Sequence, residues 1–269
     1  MDDLAALRLL VEWGADEALL DAPVDRFAAR PAAAAAVGSA AVAVGFAAAA
    51  AMPPAPLPRV NAVIQAQVLA AAAGTLPDLH AALAGFEGCP LRTMATTTVR
   101  PDGNPGAGLV LVAEAPGADD DRTGTAFSGA PGQMLDTVLA SIGLDRSMVL
   151  LTHLVPWRQP GNRAPSESEV QACLPFLSRL LHLARPRRLV LLGAAPAKAL
   201  AGTADSIRRL RGRWLTVTDS GGTGQVQALP MLPMDQWMRS AATKRDTWAD
   251  LVELRQSIDS ERNGIEPLN

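Results

Sequence analysis

Tyrosine is absent, aromatic residues make up only 4% of the chain, and there are just two cysteines, Cys89 and Cys173. Two cysteines cannot build a disulfide-rich scaffold or a four-thiolate metal site, and they suit a reducing cytosol. No short basic segment leads into an apolar core at the N-terminus, which speaks against a secretory leader. The 22 glycines and 21 prolines follow no short period, so collagen-like classes are excluded. What remains is a chain that is 49% hydrophobic, much of it alanine, enough to bury a core and to exclude wholesale disorder. The net charge of -3 hides an uneven distribution: residues 179–213 hold nine Lys or Arg and a single acid, Asp205. That stretch is either a basic patch for nucleic acid or a solvated helix face.

Along its 269 residues the chain reads as one large domain with an appendage. Residues 1–27 have helical apolar spacing and acids at the start, an N-terminal helical segment. Residues 28–60 form an Ala/Pro-rich linker; its run of 21 uncharged residues, 32–52, is too alanine-rich for a membrane span. The main domain is placed at 61–258, with a tail at 259–269. Apolar runs at 109–112, 148–154, 188–192, 214–217 and 226–229 read as strands. Helical periods fall at 63–86 (broken near Gly74, with Thr75 as a cap), 132–142, 166–184, 195–200 and 244–258. This alternation predicts an α/β fold, a three-layer α/β/α sandwich with a mostly parallel central sheet. Ligands of such sheets lie outside the carboxyl ends of the strands. Attention therefore falls on the loops after Val112, Leu151 and Leu229.

The first loop, from Ala113 through Gly129, is rich in small residues whose N–H groups can approach a ligand, yet it is neither a Walker loop nor a dinucleotide fingerprint. Phe127 within it is a stacking platform for a flat ligand or a core side chain. The second loop, Thr152 to Pro165, combines proline with Arg158 and Arg163, a rigid frame for placing cations against phosphates. His153 stands at its strand end, either functional or structural. The third loop, Leu229 to Arg239, has an apolar tip followed by Arg, a form suited to a wedge in a base stack or to a core-packing turn.

Taken in order, these segments resemble the uracil-DNA glycosylase superfamily, closest to its family 4, over residues 88–254. The resemblance is carried by Gly88-Cys89-Pro90-Leu91, Asp102-Gly103-Asn104-Pro105 and Glu114-Ala115-Pro116-Gly117, followed by acids. It continues through Pro156-Trp157-Arg158-Gln159-Pro160-Gly161-Asn162-Arg163, Cys173-Leu174-Pro175-Phe176, Leu210-Arg211-Gly212-Arg213-Trp214 and Lys244-Arg245-Asp246-Thr247-Trp248. It implies a domain that flips uracil, or a related damaged base, out of DNA and hydrolyses its glycosidic bond. Glu114 would position the water, with His153 as second catalytic residue, while Ala115, Pro116, Gly117, Asp120 and Phe127 would hold the base. Arg158, Asn162, Arg163, Arg211, Arg213, Trp237 and Arg239 would contact DNA. A monomeric cytoplasmic protein with no membrane partner is expected.

Three departures from the family pattern bear on activity. The strand-end Asn that reads the uracil edge is His153 here. The His that stabilises the departing base aligns with Pro233, which has no side-chain donor. Family 4 proteins commonly hold a [4Fe-4S] cluster on four cysteines, of which Cys89 and Cys173 match two; Phe86 and Trp157 stand at the others, so no cofactor is expected. The expectation is weak excision with His153 as the replacement donor, more effective in its cationic form at mildly acid pH. The alternative is a catalytically silent relative that binds DNA or a partner.

Overall fold

The computed structural model describes residues 59–218 and 224–262. The expected helical segment 1–27, the linker up to residue 58 and the last seven residues of the tail lie outside the described residues.

Six strands form one sheet: β1 (Asp102–Gly103), β2 (Leu109–Ala113), β3 (Leu150–His153), β4 (Arg188–Leu192), β5 (Leu215–Thr218) and β6 (Gln225–Met231). Their order is β1-β3-β2-β4-β6-β5, the four inner strands parallel and the two edge strands antiparallel. The inner strands carry unbroken apolar runs because both of their faces are covered. Val110, Val112, Leu150, Leu189 and Leu191 point to one core, built with α1 (Arg59–Ala72), α2 (Leu76–Gly85) and α6 (Glu167–Ala184). Leu109, Leu111, Leu151, Val190 and Leu192 point to the other, against α5 (Gly129–Ser141) and α9 (Ala241–Arg262). The period of two in each strand thus divides its side chains between two helical layers. Short helices α3 (Leu91–Met94), α4 (Ala118–Thr123), α7 (Ala194–Ala201) and α8 (Ile207–Leu210) fill the connections.

Register fixes where a ligand can sit. Ala113 pairs with His153 on one side and Leu192 on the other, and Leu192 pairs with Met231. The four parallel strands therefore end in one row, and the loops leaving that row share a rim.

Local chemistry accounts for the boundaries. The helical stretch at 63–86 breaks as expected: the Thr75 hydroxyl accepts the Asp78 N–H while the Asp78 carboxylate accepts the Thr75 N–H, closing a capping box. β3 is shorter than the apolar run 148–154, because the Asp145 side chain caps a 3₁₀ turn at Arg146–Met148. The last helix runs from Ala241 to Arg262, longer than the period read at 244–258, tied by the Arg255–Asp259 pair and by Glu261, which binds Arg187 and Arg188 on the sheet side. The two-residue edge strand β1 has no signal in the sequence; its pairing to Leu150 and Leu151 exists only once β3 is in place.

Candidate active site

The loop after β2 is held by its own acids. One oxygen of Asp120 accepts the Gly117 N–H at 3.1 Å and the other accepts the Ser128 N–H at 2.6 Å, so this carboxylate joins the start of α4 to the segment bearing Phe127. Asp121 accepts from the backbone and hydroxyl of Thr96 at 2.8 and 2.9 Å and pins the loop from below. Phe127 has a φ of 54°, a left-handed conformation disfavoured for a side chain of its size. The Arg146 guanidinium, donating to the Phe127 carbonyl at 2.8 Å, holds it there. Gly132 of α5 is pressed against the same carbonyl, since a Cβ at that position would lie 1.8 Å from the oxygen.

At the end of β3 the His153 ring lies against the Phe127 ring, centroids 5.1 Å apart and planes 14° from parallel. Its Nε2 is 3.5 Å from an Asp120 oxygen, and its buried Nδ1 finds no partner among the described residues. Burial pushes the His153 pKa down to about 4, against the opposing pull of Asp120. The imidazole is therefore neutral at mildly acid pH. Protonation of the ring in the fold thus falls below the mildly acid range in which the cationic form is expected to help.

Glu114 leaves the adjacent strand. Its Oε1 accepts the Ala195 N–H at 3.1 Å, at the first turn of α7. Gly193, at a φ of 109°, makes room for it, because a Cβ there would come within 2.7 Å of Oε1. Glu114, Phe127 and His153 line one cavity of about 520 Å³, together with Ala115, Gly117, Asp120, Ser128, Met134, Pro233 and Met234. Its side chains include carboxylates but no Lys, Arg, Asn or Gln. Pro116 is buried and is not among the residues that line this cavity. Gly193 and Ala195 were reachable from the sequence, since the rule about strand ends applies equally to Leu192. Arg146 carries no local signal.

The expected DNA contacts divide. Asn162, Arg163, Arg213 and Arg239 are exposed and Arg158 is half-buried. Arg158 donates to the Asn162 side chain at 2.8 Å, Arg163 grips Glu169 through two bonds of 2.9 and 2.6 Å, and Arg239 pairs with Asp235. Arg211 instead turns inward, donating to both oxygens of Asp250 at 3.0 and 2.7 Å and also to the Asp246 carbonyl. Trp237 is only 1% exposed, with its indole N–H donating to the Leu232 carbonyl at 2.7 Å. Arg211 and Trp237 thus brace the interior. The large apolar side chain that the third loop exposes is Met238.

Fold and cavity together define an α/β protein with a cavity at the carboxyl ends of a mostly parallel sheet. Residues 100–252 match the Uracil DNA glycosylase superfamily, and the chain belongs to that superfamily. Its similarity is to the superfamily's family 4. The chain is 40% identical over 125 residues to a protein of Pyrobaculum aerophilum named Type-4 uracil-DNA glycosylase, covering 46% of this chain and 64% of that one. It is 36% identical to the protein of the same name from Archaeoglobus fulgidus, over 58% of this chain and 80% of the other. A third, from Thermotoga maritima, is 35% identical over 47% of this chain and 68% of its own length.

The residues at the family's cluster position do not fit that group. Phe86 and Trp157 are fully buried there, in one core with Cys89, Cys173 and Phe176. The Phe86 and Phe176 rings meet at 5.2 Å, and the Trp157 indole donates to the Thr98 hydroxyl at 3.0 Å. The two thiols hydrogen-bond to each other, which lowers the Cys89 pKa, while burial raises that of Cys173. Among the described residues there is no group of three or more His, Cys, Asp or Glu able to hold a metal ion.

Proposed function

We propose that this chain acts on uracil-containing DNA as a monofunctional glycosylase of low rate, working as a monomer in the cytoplasm. The observation that carries this reading is the convergence of Glu114, Phe127 and His153 on one cavity at the row of strand ends. Hydrolysis of the glycosidic bond needs a water set against C1′, a face for the flipped base, and a donor for the anion that leaves. Glu114, fixed by Ala195, is suited to the first task and Phe127 to the second. The third is where the chain is poor. Pro233 offers no donor, and His153 serves as one only when its ring turns away from Asp120. Backbone N–H groups of the first loop are left. Loss of one donor to a developing anion costs on the order of 10² to 10³ in rate.

A catalytically silent DNA-binding relative is the second reading, and the contact of His153 with Phe127 favours it. A gel assay for abasic sites on single-stranded and duplex uracil DNA separates the two. Slow release that Pro233→His raises on the order of 10²-fold is expected from the first reading. No release by either protein would leave binding alone.

A further inference from the structure

The surface on which a flipped base would stack is already taken. His153 lies nearly parallel to Phe127, and Phe127 is only 4% exposed, so its ring offers little open surface to a second flat group. The imidazole also places Nε2 by Asp120, using an edge partner that a base would otherwise meet. It is neutral, flat and aromatic, held on a strand end that the register fixes beside Ala113. Its Nδ1 goes without a partner in this position. In these respects the ring stands in for a pyrimidine.

Filling the base slot does not fill the site. A cavity of about 520 Å³ remains, bounded by Glu114, Ser128 and Asp235 as hydroxyl partners and by the small residues Ala115, Gly117 and Ala118. Small residues let a sugar-phosphate backbone come close to the loop. We propose that the resting site selects a nucleotide that has lost its base, with the deoxyribose ring seated against Glu114. A nucleotide that still carries a base enters only by driving His153 off Phe127. This rests on the reading of the cavity as a DNA-base site.

The test is a set of anisotropy titrations of the full chain against three oligonucleotides of one sequence, carrying a tetrahydrofuran abasic residue, a uracil, or no lesion. The tetrahydrofuran oligonucleotide should bind about 10- to 100-fold more tightly than the uracil one, the range that a displaced stacking contact implies. His153→Gly should narrow or reverse that gap, with circular dichroism used to check that the variant is folded. Free uracil gives a readout that needs no variant: it should leave wild-type affinity for the tetrahydrofuran oligonucleotide unchanged, since its slot is filled. Uracil and abasic DNA bound equally, both above undamaged DNA, would overturn the base-mimic proposal and leave the base-site reading intact. So would free uracil that strengthens binding to the abasic oligonucleotide, or a folded His153→Gly with an unchanged gap. Equal binding of all three oligonucleotides would overturn the base-site reading, and this proposal with it.

Discussion

Arg146 donates to the main-chain carbonyl of Phe127 at 2.8 Å while its other nitrogens pair with Asp102 and, at 2.7 Å, with Asp136. One guanidinium thus joins the edge strand, helix α5 and the residue that walls the cavity. Charge-assisted bonds of this kind contribute about 1.5–3 kcal/mol each when sheltered, and less here because Arg146 is partly exposed. Arg146→Ala should lower the unfolding free energy by about 2 kcal/mol in urea titrations. Asp136→Ala, which removes only one of the three contacts, should cost clearly less.

Gly132 gives a prediction in which sign is decisive. In a helix interior, alanine is favoured over glycine by about 1 kcal/mol. Here the added methyl would meet the Phe127 carbonyl at 1.8 Å, a backbone atom that cannot step aside cheaply. Overpacking costs about 1–3 kcal/mol, so Gly132→Ala should destabilise despite the helical gain. A rise in melting temperature would show that the loop bearing Phe127 yields.

The buried imidazole makes stability depend on pH. The pKa of His153 falls from 6.5 in the unfolded chain to about 4 in the fold, so the unfolded state takes up the proton first. Its contribution is complete above pH 6.5, shrinks as the pH falls below that value, and is fully lost at about pH 4. At about 1.4 kcal/mol per pKa unit, the loss between pH 7 and pH 5 is about 2 kcal/mol. Denaturation of wild type and His153→Asn at the two pH values should show the variant losing less by that amount.

Arg211 and Arg213 stand two residues apart and should behave differently. Asp250 is almost wholly enclosed, and burial raises its pKa to about 6 even with Arg211 drawing it down. Removing one partner of such a pair costs about 3–5 kcal/mol, so Arg211→Ala should act on stability. If exposed Arg213 meets a phosphate, Arg213→Ala should leave stability near wild type and reduce the salt dependence of DNA binding by about one unit of slope. Salt titrations of both variants beside their melting curves test the division.

What was legible in the sequence was what short-range patterns determine. Runs such as Leu109 to Val112 and Arg188 to Leu192 read as strands, and Thr75 as a helix cap. From these the sheet, its helical layers and the rim of loops follow. The interior of the site was less legible, because it depends on distant partners. Nothing near Phe127 in sequence announces its left-handed backbone, which Arg146 and Gly132 hold from elsewhere. An arginine in a basic stretch reads as solvent-facing until Asp250, 39 residues on, is seen to enclose it. Trp237, in an apolar loop, served either as wedge or as core, and the Leu232 carbonyl decided for the core.

The corner where Phe86, Phe176 and Trp157 gather around Cys89 and Cys173 draws its cohesion from apolar contact. Cohesion of that kind is set by how the side chains fit one another, so trimming Phe86 or Trp157 to alanine would open a void there at a cost of about 3–5 kcal/mol.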